Sequence, residues 1–169
     1  MAPPVADESE RRRRAALGTA LFTLTVPGTV VVAVPYLLTG WRVAESWPVR
    51  LVGLCLILAA LPVFAAFLAR FVREGIGTPA PVAPTERLVV GGPFERVRNP
   101  GYLSVIAMVA GQALLFASAA VLGYAALLAL AFHSFVVLYE EPTLRRRFGA
   151  EYARYCQRVP RWLPRRRRE

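Results

Sequence analysis

The sequence predicts an all-α fold. We expect an integral membrane helical bundle of about four transmembrane helices, followed by a C-terminal interfacial amphipathic helix. Three observations carry that expectation. Hydrophobic residues make up 56% of the 169 residues, above the roughly 45–50% of soluble domains. The excess is gathered into uncharged runs. The formal charge is +10, and the basic residues are all Arg, set mostly at the ends of those runs. That placement suits topology and anionic bilayer headgroups, and argues against nucleic acid as a partner.

The elements follow in order. Residues 1–14 read as a disordered basic N-terminus, ending in Arg11 to Arg14. The apolar run 15–39 is too long for the core of a cleaved leader. It reads as a retained anchor, kinked at Pro27 and at Pro35. A second span covers about 49–69, with Pro62 inside, so two transmembrane helices occupy 15–73. Residues 74–100 form a cytoplasmic loop rich in proline and glycine. It reads either as a linker or, through the apolar stretch Leu88 to Val90, as a segment that docks.

Residues 101–140 hold a transmembrane hairpin. The stretch 101–139 has no charged residue if His133 is neutral. As one helix it would run about 58 Å, against about 30 Å of hydrocarbon. It must therefore fold back, with its turn near 116–123. Small residues there, Gly111, Ala113, Ala117, Ala119, Ala120, Gly123, Ala125 and Ala126, would let the two helices approach. Residues 141–169 form the amphipathic helix and basic tail. Leu144, Phe148, Tyr152, Tyr155 and Val159 recur at near-helical spacing between arginines, and Pro142 suits the first turn. The Arg distribution places both termini in the cytoplasm, and the setting reads as a bacterial inner membrane.

Cys55 and Cys156 lie in different settings and are expected to stay unpaired. One histidine without clustered ligands argues against a zinc or haem site, so no metal is expected.

The chemistry-bearing residues raise a question of charge. Glu140 and Glu141 close an apolar span, where they face the negative end of the helix macrodipole. A carboxylate near bilayer depth costs several kcal/mol without compensation. A cation should meet them. Neighbours on a helix point about 100° apart, so the two cannot grip one atom. Pro142 disfavours helical geometry at Glu141 and suits a re-aimed side chain. Either the pair makes ion pairs with Arg145 and the tail, or one carboxylate takes a cationic ligand group while the other braces an Arg. His133, seven residues before Glu140, falls on nearly the same helix face. It is either a neutral imidazole bonded within the bundle or a pocket wall. Gln112 and Ser134 are expected to face the bundle. Gly91 and Gly92 permit close backbone approach, and Pro100 starts a helix and extends Asn99.

The run Gly92-Pro93-Phe94-x-x-Val97-Arg98-Asn99-Pro100-x-Tyr102 resembles a signature of small integral-membrane methyltransferases. The later run Glu140-Glu141-x-x-Leu144-x-x-x-Phe148-Gly149-x-x-Tyr152-x-x-Tyr155-x-x-x-Val159-x-Arg161 does so too. Together, over about the last 80 residues, they resemble the isoprenylcysteine carboxyl methyltransferase and phospholipid methyltransferase superfamily. The resemblance implies S-adenosylmethionine as cofactor, with S-adenosylhomocysteine as product, bound at the cytoplasmic end of the hairpin. It implies a lipophilic or lipid-anchored acceptor (amine, carboxylate or thiol) entering from the bilayer. Gly92, Pro93, Arg98, Asn99, Pro100, Tyr102, Glu140 and Glu141 would line the cofactor site, with His133 as its wall. Arg98, Glu140 and Glu141 are the expected catalytic groups. On this reading the missing cation is the cofactor. Asn99 stands where the prenylcysteine enzymes usually carry His, and Ser104 replaces a usual Gly, so the acceptor does not carry over. A non-catalytic membrane scaffold that keeps the fold is the alternative.

Overall fold

The computed structural model describes residues 8–43, 45–74 and 88–164. Helix α1 (Glu8–Gly28) passes through a wide π turn (Thr29–Ala33) into the short α2 (Val34–Thr39). Helix α3 (Trp47–Glu74) follows, then a 3₁₀ turn (Gly92–Glu95) and α4 (Pro100–Leu115). Helix α5 (Ala119–Phe135) runs through a second π turn (Val136–Glu140) into α6 (Glu141–Arg158). The described residues contain no strand. Helix α1 begins at Glu8, inside the stretch expected to be disordered to residue 14; alanine and arginine are both good helix formers. Residues 1–7 and 75–87 of the expected terminus and loop lie outside the described residues.

Three helical stretches are long and apolar enough to cross a membrane: Ala16–Thr39, Trp47–Arg70 and Ala119–Arg158. Helix α4, with 16 residues, reaches about 24 Å, short of a full hydrocarbon core. The chain is a helical membrane bundle in which α4 is the short, inner member. Its residues Val105, Met108, Val109 and Ala113 are all buried.

Close backbone contact explains how α4 is held. A Cβ on Gly111 would lie 2.7 Å from the carbonyl oxygen of Gly53, far inside van der Waals distance, so α3 and α4 cross at two glycines. Gly101 likewise lies under the Phe67 ring of α3. Gly111 therefore serves the α3–α4 crossing rather than the hairpin, and a Cβ on Gly123 would meet nothing within 4 Å. The hairpin core is built instead by Ala113 and Ala125 with Val109 and Val121. Its turn is tight. Ala117 adopts a left-handed φ of 46°, and the amides of Ala117 and Ser118 return to the carbonyls of Leu114 and Ala113. That pattern satisfies the last carbonyls of α4. Ser118 then caps α5 by accepting from the Val121 amide at 3.3 Å, as an N-cap hydroxyl does.

Both wide turns precede a proline by two residues, Pro35 and Pro142. A proline ring lacks an N–H and crowds the carbonyl four residues back. Widening the turn relieves the crowding but strands carbonyls. In the first turn the Val34 amide bonds to Thr29, so the matching donor for Val30 would be Pro35, which has none. Two side chains supply what the backbone lacks. The Tyr124 hydroxyl donates to Val30 O at 3.2 Å, and Gln112 Nε2 donates to Val31 O at 2.8 Å. Gln112 faces the bundle as its polarity requires, and its partner is the defect in the first span. The bond ties the first span to α4 where lipid offers no substitute donor.

Gln112→Leu should lower the unfolding free energy by about 0.5–1.5 kcal/mol, the net worth of one hydrogen bond. Thermal or denaturant unfolding in detergent measures it. A change below about 0.3 kcal/mol would show that the Val31 carbonyl needs no partner.

Candidate functional site

The site forms where the C-terminal segment folds back on the start of α4. Gly149 takes φ 49° and ψ −120° inside α6, a break that a β-carbon would strain. Beyond it, Tyr152, Tyr155 and Val159 bury against Leu88, Leu144, Phe148 and Cys156. Helix α6 is amphipathic as its spacing predicts, and its buried residues Tyr152 and Tyr155 pack on the protein. Leu88 shows that the end of the loop docks. The Tyr155 hydroxyl donates to Phe94 O at 2.8 Å. Residues 159–162 then run as a strap across the α4 start. The Arg98 amide donates to Pro160 O at 2.9 Å, and Asn99 Nδ2 donates to Arg161 O at 3.2 Å.

Under the strap lies Glu141. Its side chain is 7% exposed, and Arg98, 12% exposed, donates to it from Nη1 at 2.9 Å. Arg161 forks onto both oxygens, from Nε at 2.6 Å and from Nη2 at 3.0 Å. Arg145 stands 4.0 Å away. The hydrogen bonds that Arg161 donates to Glu141 raise its pKa further above its already high value, so this guanidinium stays charged. Two sequence expectations change here. Glu141 keeps helical angles, φ −62° and ψ −44°, because the wide turn before it absorbs the proline's demands. The helix also continues past Pro142, so the carboxylates do not face a helix C-terminus, and the dipole penalty does not arise. The cations that meet Glu141 come from the chain itself.

Glu140 has a different environment. Tyr102 donates its hydroxyl to Glu140 Oε2 at 3.1 Å. The Tyr102 ring lies 4.8 Å from that of Phe132. No arginine bonds Glu140 among the described residues, so one of the two adjacent carboxylates is neutralised several times over and the other is not.

The remaining expected residues separate into two groups. His133 is exposed on the bundle surface and accepts from Trp162 Nε1 through its Nδ1 at 3.2 Å. It therefore belongs to the strap's far attachment, with a partner different from that of Glu140. Gly92, with φ 63°, and Pro93 build the 3₁₀ turn; Gly92 donates to Glu95 at 3.3 Å, not to the carboxylate pair. Pro100 is buried at the first turn of α4. Asn99 is buried, with its amide on the strap. Cys156 and Trp162 enter the site without any sequence expectation. Cys156 Sγ accepts from Arg98 Nη1 at 2.9 Å, and both cysteines are free thiols. Only four-residue spacing from Tyr152 marks Cys156 in the sequence, and Trp162 stands among arginines like an interface anchor.

Breaking a buried pair strands a charge, so Arg98→Ala and Glu141→Ala should each cost about 3–5 kcal/mol. The double variant should cost less than the sum by about 0.5–3 kcal/mol. Strictly additive unfolding energies would show that the two side chains do not couple.

Comparison with known proteins gives a family for the chain. A family model described as phospholipid methyltransferase matches residues 49–151, a stretch that holds α3, α4, α5 and the first part of α6. Arg98, Tyr102, Glu140 and Glu141 fall inside it, and the strap lies beyond it. A search of curated proteins found no match. The family match spans well over half of the 169 residues and meets the expectation drawn from the two sequence runs; the chain belongs to the phospholipid methyltransferase family.

Proposed function

We propose that this membrane methyltransferase moves a methyl group from S-adenosylmethionine to a lipophilic acceptor, with a lipid amine favoured. The observation that carries the reading is the asymmetry between Glu140 and Glu141. Glu141 is held by arginines. Glu140 is held by a neutral phenol and keeps its Oε1 without a partner among the described residues. A carboxylate with one oxygen fixed and one open, at the end of an apolar bundle, fits an ammonium group. The cofactor carries such a group on its amino-acid end. When bound, it supplies a methyl group already activated by its sulfonium.

The chain's own residues then supply position and dryness, the main contributions open to a protein in a displacement of this kind. Tyr102 fixes the rotamer of Glu140. Arg98 and Arg161 fix Glu141, and with it the turn of helix on which Glu140 sits. An amine acceptor must lose a proton to react. His133 is already engaged elsewhere, since its Nδ1 accepts from Trp162.

Calorimetry with S-adenosylhomocysteine, followed by tritiated methyl transfer into lipid extracts, tests the reading. Glu140→Gln should weaken binding or turnover about ten- to a hundredfold, the worth of one charge-assisted contact. Unchanged binding and turnover would overturn the role of Glu140. The absence of any binding to the wild-type protein would favour a scaffold that retains the fold.

The arginine-rich segments set the orientation. We place both termini in the cytoplasm, in a bacterial inner membrane, with the site at the cytoplasmic face. Reporter fusions at residue 45 and residue 120 should then read as exterior. An interior signal at either would overturn this orientation.

A further inference from the structure

The Glu141 cluster holds more positive charge than it neutralises. Three guanidinium groups surround one carboxylate, at 2.9, 2.6 and 4.0 Å. The neighbouring Glu140 is engaged by a neutral hydroxyl. Arg98 is short of acceptors. It spends one hydrogen bond on the thiol of Cys156, a weak acceptor, and its Nε is buried with no hydrogen-bond partner among the described residues. Arg161 commits Nε and Nη2 to Glu141. Its Nη1 has no partner among the described residues, and its side chain stays 32% exposed. Arg98 also adjoins the start of α4, which has no side-chain cap. The amides of its first turn therefore add partial positive charge beside the guanidinium groups.

Unspent donors near a buried ion pair cost free energy unless an anion meets them. The forked geometry of guanidinium suits the oxygens of a phosphate. The site stands at the end of the bundle where Arg145, Arg146 and Arg147 are exposed, and an arginine-rich end of a membrane bundle suits lipid phosphates. We propose that Arg98 and Arg161, braced by Glu141 beside the uncapped start of α4, bind the headgroup phosphate of the acceptor phospholipid. The proposal rests on the methyltransferase reading only for the word acceptor. It gives the site two poles, an arginine pole for phosphate and Glu140 for a cation. Glu141 then works as a brace that holds both arginines in place and tempers their charge.

The test omits every S-adenosyl compound, so its outcome is independent of cofactor binding. Purified full-length protein in a neutral detergent is titrated with dioctanoyl phosphatidylethanolamine, dioctanoylglycerol or inorganic phosphate, and binding is read by thermophoresis. The phospholipid should bind saturably, at least about tenfold more tightly than the phosphate-free lipid, the worth of one good charged contact. Inorganic phosphate should compete weakly. Glu141→Gln removes the charge that holds both arginines and the strap in place, so it should weaken phospholipid binding severalfold. Arg161→Lys keeps the charge and loses the fork, so it should weaken binding about tenfold. Equal binding of the two lipids would overturn the proposal, as would unchanged or tighter binding by Glu141→Gln. Inorganic phosphate binding as tightly as the lipid would overturn the headgroup assignment.

Discussion

A buried carboxylate at a membrane boundary has to be met by positive charge, and Glu141 organises this end of the protein because of it. Arg98 comes from the segment before α4, and Arg161 comes from the strap after α6. Their shared partner therefore closes the chain into a ring at one end of the bundle. The strap's backbone bonds to Arg98 and Asn99 follow from that closure. So does the burial of Tyr152 and Tyr155, which fills the space between α6 and the loop. Without the ion pair, the basic strap would have no reason to leave solvent.

At the other level of the bundle the constraint is backbone hydrogen bonding. Ahead of Pro35 in the first span, Gln112 and Tyr124 donate to the carbonyls of Val31 and Val30. These bonds hold the first span on the α4–α5 hairpin, while the Gly53–Gly111 crossing holds α3 on α4. Helix α4 is thus fixed on several sides. Its first turn, which carries Tyr102, becomes a rigid reference against which Glu140 is set.

Much of the fold was legible from charge and length. Uncharged runs bounded by arginines marked the spans, and the excess length of 101–139 required a hairpin. The site was legible in part. The two matched sequence runs drew attention to Arg98, Tyr102, Glu140 and Glu141, and the structure brings all four to one end of the bundle. What stayed hidden depends on three-dimensional phase and on distant pairing. Arg161 closes the second matched run, but its pairing with Glu141 shows only where the break at Gly149 turns the chain back. Glu140 and Glu141 were equal in the sequence. Their roles separate because the 100° between neighbours sends one toward the strap and the other toward Tyr102. His133 was assigned to the Glu140 face by seven-residue spacing, which assumes an unbroken α-helix; the π turn breaks that assumption.

The second wide turn has a consequence for how this region can vary. A π turn holds one more residue than the α turn it replaces, so everything after it is rotated by about 100° relative to a regular helix. Pro142 thus works like a vernier on a screw thread, setting the angle at which the last helix leaves the bundle. Residues within 136–140 can change identity and leave that angle intact. Their number cannot change. Loss of one residue would restore a regular thread and carry Glu141 off the axis of its arginines, with every individual side chain still present.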